Sequence, residues 1–560
     1  MPTQSSNQPQ ILTLDDWQVG LNQQARRASI EDEAQWWNEN LFAIGKGNLR
    51  SCWGPSAPIY TAPSGTTILR IFFGFYGNQT PPFSAPPPGR MGWMFLSNGN
   101  IDEVDLDTQQ VTTIPDVWEP ISPFWWASAK VWRPRWVGHD PGEIGGVLFG
   151  SPKGLYAWDG STLSVPGGPA PLWLTNADTT PFPTSTTMPV GLPGIYTMEV
   201  YQNRLFVAGK NVISFSAPGN GADFNDIDGG GSFGYFGDKL VYTYTDLAAS
   251  AGFLYCFGDS STDVIANLQM INQGTQTVPV FLTQFNYSNV DPQVGHGFAR
   301  PVGRWGRAFV IANGAPLVGG DISEARAHRG GIYLMFGSQA EIIGEKTTNV
   351  YITLDVSDYY PTFAPATIFG QRVMLMNGRF TDPWGRVRSL LLMWHGQQRI
   401  AQGLQRQHWS IASQNLELTN IGTYEQDSVL SPYGTDGTHL YRLFSRPDPA
   451  LPKRLSTKAF RGEELQSLTI KNMKRVYLEL HDHTGGGVSV TGTLTTRGGG
   501  IPNGSEDVGF ELVPGEMYGI KPWPVSGAGI NGAIDLESIS PDFTIERLQV
   551  ASEDRTLYGA

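Results

Sequence analysis

From about residue 60 onwards, short apolar runs alternate with polar positions, and each run is bounded by Gly, Pro, Asn or Asp. This is the pattern of short antiparallel strands. Residues 92–105 read as two strands around an Asn98-Gly99 turn, residues 146–149 pair with 154–158, and residues 204–208 pair with 212–216 across Gly209-Lys210-Asn211. Further units begin near Gly252, Gly306, Gly370 and Gly437, about 48–67 residues apart, close to the length of a four-stranded propeller blade with long loops. The spacing predicts an irregular β-propeller of about six or seven blades over residues 63–450, with serial β-sandwiches as the alternative.

The two ends read differently. Ser29 with Asp32 fits a capping box, Gly45 and Gly47 mark a stop, and Trp37, Leu41 and Ile44 fall on one face at helical spacing. An N-terminal arm over residues 1–62 is therefore expected to carry one helix over 29–42, with Trp36, Trp37 and Leu41 as its docking surface. After Pro447, Pro449 and Pro452 the alternation resumes at 468–470 and 475–480, followed by glycine clusters at 485–487 and 498–500. Residues 451–560 are expected to form a small β-sandwich or barrel-like domain, and the Pro-rich stretch 81–88 a surface loop.

Composition sharpens this reading. The chain of 560 residues carries 67 Gly and 40 Pro, and only 16% charged residues against roughly 25% in ordinary domains, so long solvated helices are few. Aromatics make up 12%, enough apolar surface to exclude a disordered chain. The formal net charge of −13 is wrong for gripping nucleic-acid phosphates. Cys52 and Cys256 are the only cysteines, too few for a disulfide framework or a four-cysteine zinc site. No apolar stretch approaches a membrane span and the N-terminus lacks an export signal, so a protein without membrane insertion is expected.

Motifs that could carry chemistry are weak. Residues 229–234 fit G-x-G-x-x-G by letter, but the downstream run 240–244 reads as strand where a dinucleotide site needs a helix, so a turn is expected. Asp223, Asn225, Asp226 and Asp228 could offer oxygens to a cation, yet the twelfth loop position lacks the glutamate of an EF-hand. His481 and His483 should share one strand face and could share a metal or simply end a solvated strand. The remaining histidines are scattered and there is no nucleophile elbow. Acid pairs such as Asp140/Glu143 and Asp102/Asp105 could serve glycoside hydrolysis only if held across a cleft. Lys471, Lys474 and Arg475 cluster without a stacking platform, so a solvated edge is expected. The expectation is a protein that is not an enzyme, with no catalytic residues, no cofactor and no metal.

The opening carries a resemblance. Leu12-Thr-Leu-Asp-Asp-Trp-Gln-Val-Gly-Leu-Asn22, then Glu33-Ala-Gln-Trp-Trp-Asn-Glu-Asn40 and Gly47-Asn-Leu-Arg50, resembles the start of tail nozzle or tail hub proteins of short-tailed bacteriophages. Asn203-Arg-Leu-Phe-Val-Ala-Gly209, Ile213-Ser-Phe-Ser216 and Asp223-Phe224 resemble a propeller blade of the same group. The Arg-Pro-Gly that often follows the Gly-x-Leu-Arg strand is replaced by Ser51-Cys-Trp-Gly54, and the C-terminal domain has no match. The resemblance implies a structural virion protein of the tail, made in the host cytoplasm. It implies a homohexameric ring below the portal and its head-tail adaptor ring, contacts with tail fibre or spike proteins, and a lumen for outgoing genome DNA without sequence-specific binding. Such a lumen should be acidic, polar or glycine-rich, because every phosphate held by Lys or Arg adds affinity. Loops at Asp102, Asp105 and Asp107 and at Asp223, Asp226 and Asp228 are the candidates. The alternative is a carbohydrate-binding or glycan-degrading tail-tip propeller using Trp125, Trp126, Trp132 and Trp136; a third reading is a propeller scaffold unrelated to phage.

Overall fold

The computed structural model describes residues 10–75, 89–132, 146–164, 195–218, 224, 229–234, 244–313, 330–355, 361–399, 405–460, 470–498 and 503–555, apart from short internal breaks at 25, 32–33, 45–46, 123, 159, 161–162, 210–211, 260, 276–278, 299, 338 and 427. The chain is mainly β and forms a propeller. Among the described residues six free-standing four-stranded sheets form blades, five of them consecutive in sequence. The first begins with the strand Ile68–Phe75, the second with Ser128–Trp132, the third with Thr197–Tyr201, the fourth with Tyr244–Ser250 and the fifth with Gly303–Trp305. These leading strands pack against one another across neighbouring blades, which places them at the axis. Each blade continues outward by antiparallel hairpins, including those around Asn98-Gly99 and Gly209.

The ring closes through a composite sheet. A nine-stranded sheet starts with Phe363–Ile368, Gln371–Thr381, Val387–Arg399 and Gln405–Ala412, and its leading strand lies between the fifth blade and the last. Beyond Gln405–Ala412 the same sheet runs on through Gln35–Glu39, Lys453–Thr457, Asn531–Ser538, Val488–Arg497 and Gly504–Leu512. The last blade takes Asn420–Gln426, Val429–Thr435 and His439–Arg442 from the C-terminal side and its outer strand, Tyr60–Thr61, from the N-terminal side. Joining first and last segments in one blade removes the open sheet edges that a broken ring would expose. A second composite sheet pairs Gln10–Leu14 and Asn48–Ser51 with Phe543–Arg555, which also pairs with Ile470–Asp482.

The expected helix over 29–42 is absent. Trp36 and Trp37 lie in the strand Gln35–Glu39, and Leu41 opens the strand Leu41–Ile44. Between them Asn40 adopts φ 59°, a left-handed conformation that asparagine tolerates better than most residues and that ends any helix. Its side chain replaces lost backbone partners: Nδ2 donates to Ser413 Oγ and the Pro452 carbonyl, and Oδ1 accepts from the Ser413 amide. Both strands are covered on two faces, so their apolar residues carry no strand-like alternation. Trp37 is fully buried, donates to Glu39 Oε2 at 3.1 Å, and Glu39 in turn receives both Arg388 nitrogens at 2.7 and 2.8 Å. The helical structure among the described residues is confined to short turns such as Trp17–Val19 and Thr348–Tyr351.

Candidate functional site

The leading strands of the first four blades each carry one charged residue at their third position: Arg70, Lys130, Glu199 and Asp246. Because these strands line the axis, the charges converge there. With Arg300, Arg304, Phe72 and Tyr196 they border an axial cavity of about 280 Å³. Lys130 pairs with Glu199 at 2.9 Å, tying the second blade to the third. Asp246 accepts from Thr197 Oγ1 at 2.7 Å, from its neighbour's amide at 2.9 Å and from the Val302 amide at 2.8 Å, tying the third, fourth and fifth blades. Arg70 and Arg300 donate to the carbonyls of Trp125 and Phe124, anchoring the segment between the first two blades from opposite sides.

Burial dominates the electrostatics. It raises the Asp246 carboxyl, against the pull of Lys130, and lowers the Arg70 guanidinium to about 9, with Asp246 opposing. The charged groups of the axis are thus spent on one another and on the backbone, which makes the centre a polar fastening for the blades. Sequence reading missed this constellation; the signal was a single charge inside each of four apolar strand runs.

The sequence-derived candidates among the described residues take the following places. Asp102 lies in the strand Ile101–Asp105, buried, and accepts from Tyr60 Oη at 2.5 Å and Thr113 Oγ1 at 2.8 Å. Asp105 Oδ1 accepts the amides of Asp107 and Thr108 and so shapes the following turn. Asp107 pairs with Arg90, which brings to this loop a cation that its own sequence lacks. Asp223, Asp226 and Asp228 lie outside the described residues, as do Asp140, Glu143 and Trp136. Trp126 is buried and stacks on Tyr196 at 4.0 Å, so its face is not offered to a sugar; Trp125 is half-buried. Trp132 ends the leading strand of the second blade. Residues 231–234 form the outer strand of the third blade, and the run 235–243 that follows the glycines lies outside the described residues.

His481 and His483 do come together, with ring centroids 4.5 Å apart. His483 Nε2 meets Thr544 Oγ1 at 2.7 Å, and burial together with Arg50 lowers its pKa. Among the described residues no group of three or more His, Cys, Asp or Glu is placed to hold a metal ion. Burial pushes the Cys52 thiol up to about 12 and raises Cys256 well above the ordinary thiol range, so both stay protonated.

No protein-family model matches the chain, and no curated protein matches it. Among solved structures, the allergen Mala s 1 of Malassezia sympodialis is similar at 11% identity, over 64% of this chain and 90% of its own, with a TM-score of 0.24. The β-fructofuranosidase of Schwanniomyces occidentalis, solved with fructosyl-erythritol, is 9% identical over 96% of this chain and 100% of its own, with a TM-score of 0.20. A Cry1Da tryptic core variant of Bacillus thuringiensis is 10% identical over 55% of this chain and 50% of its own, with a TM-score of 0.15. Likeness this distant carries no functional argument.

Proposed function

We propose that the chain is a structural subunit of a phage tail, a nozzle or hub protein that assembles as a ring, most simply of six copies, around a path for DNA. The observation that supports it best is apolar surface that a single copy leaves in water. The hairpin of Thr262–Asn272 and Phe281–Asp291 exposes alternate residues along its second strand, and Met270, Ile271 and Leu282 stand 46%, 37% and 39% exposed. The edge strand Tyr518–Pro524 and the turn before it expose Met517, Tyr518 and Ile520 at 46%, 51% and 53%. Such apolar groups on a sheet margin suit burial between subunits. The segments that carry the nozzle resemblance pack into the cores beside the two composite sheets, Trp17 and Leu49 in one and Trp37 in the other, which suits a framework role. In this reading the duplex runs through the hole that the ring of copies encloses.

Mass measurement of the purified protein together with negative-stain imaging tests this. A ring with an axial hole wide enough for duplex DNA is the expected result. A monomer at micromolar concentration, or a closed particle without a hole, rejects the reading.

A further inference from the structure

A groove of about 820 Å³ lies where a turn of the propeller side faces the C-terminal strands. Its walls are two tryptophans held in fixed positions. Trp384 stands on the turn between Gln371–Thr381 and Val387–Arg399, where Asp382 accepts the amides of Trp384 and Arg386 and the Nε atoms of Arg386 and Arg388. Its ring meets Trp37 edge-on at 5.8 Å and remains 48% exposed. Trp523 donates to the Asp507 carbonyl at 3.0 Å and lies over Gly509, where an added Cβ would touch the ring at 3.4 Å; it remains 38% exposed. Ser456, Thr491 and Thr493 are among the residues that line the groove.

We infer that this groove is a binding site for a neutral oligosaccharide. The volume falls within the roughly 300–1,000 Å³ of small-molecule sites. Preset aromatic faces suit the C–H faces of pyranose rings, and hydroxyls and carboxylates suit their O–H groups. Charge favours an uncharged ligand: Arg454 pairs with Glu537 and Arg386 with Asp382, while Asp535 pairs with Arg27. The groove lies within one chain and does not depend on ring assembly, so whichever oligomer forms in solution can be tested.

The test is titration of the full chain with three neutral hexasaccharides, built of α-1,4-glucose, β-1,4-glucose and β-1,4-N-acetylglucosamine, followed by tryptophan fluorescence and calorimetry. At least one should bind saturably. Trp384→Ala and Trp523→Ala should each weaken it about tenfold or more, while Trp384→Phe retains part of the affinity. Thr491→Arg, at an exposed position, should block the groove without removing a packed ring. Absence of saturable binding to all three sugars, or binding that survives these substitutions in folded protein, overturns the inference.

Discussion

At the scale of single residues, the stability of this chain rests on polar side chains buried in one protonation state. His296 is fully buried between the rings of Phe298 and Phe363; its Nε2 meets the Arg300 carbonyl at 2.8 Å and its Nδ1 lies 3.4 Å from the Ala312 amide. This arrangement suits a neutral ring with one donor and one acceptor. Burial lowers its pKa from 6.5 to about 4, against the two hydrogen bonds. Above pH 6.5 the folded and unfolded chains are both neutral here, so the group adds no pH dependence. Between 6.5 and 4 only the unfolded chain takes up the proton, and stability falls with pH by about 3 kcal/mol from this residue. His408, lowered to about 3 mainly by burial, acts in the same direction. Urea unfolding at pH 7 and near pH 4 should show the loss, and His296→Gln should shrink it. An equal loss in the variant would show that His296 does not carry it.

At the scale of elements, hairpins whose turns contain Asn98-Gly99 or Gly209 were legible because turn chemistry is local. The segment 29–42 was misread for a physical reason. Trp37, Leu41 and Ile44 are spaced as on a helix, but they lie on two strands embedded in composite sheets, where burial on both faces erases the period of two. The axial charges were equally hidden, since no local rule says that four strands far apart in sequence share one axis. Blade closure depends on one such long-range contact. Tyr60, in the outer strand of the last blade, donates to Asp102 in the first blade, and burial and Asp102 together hold its phenol well above the ordinary tyrosine range. Tyr60→Phe keeps the ring and leaves buried Asp102 short of a donor, so it should cost about 1–3 kcal/mol in denaturant unfolding. Tyr60→Phe and Asp102→Asn should be non-additive in a double-mutant cycle; simple additivity would mean that the contact does not couple the blades.

At the scale of the whole molecule, the chain is bound to itself end to end. The strand Gln10–Leu14 pairs with Phe543–Arg555, and Gln35–Glu39 is inserted between Gln405–Ala412 and Lys453–Thr457. The propeller side of the nine-stranded sheet therefore continues into the C-terminal strands only through an N-terminal one. Excising residues 63–450 would remove the outer strand of the last blade and would take Trp37 from the core that it shares with Phe380, Leu392 and Trp409. It would also remove Glu39, leaving the Arg388 guanidinium without its bidentate partner. Losing a buried aromatic costs about 3–5 kcal/mol, a large share of the 5–15 kcal/mol that typically separates folded from unfolded states, and Arg388 would keep only Asp382 as a carboxylate partner. The excised body should consequently be insoluble or lack cooperative unfolding, while the full chain should show the same protection from hydrogen exchange in the strands Gln35–Glu39 and Val387–Arg399. An excised body that melts cooperatively within a few degrees of the full chain would show that the propeller stands on its own, and that the N-terminal strands serve only to attach the C-terminal part.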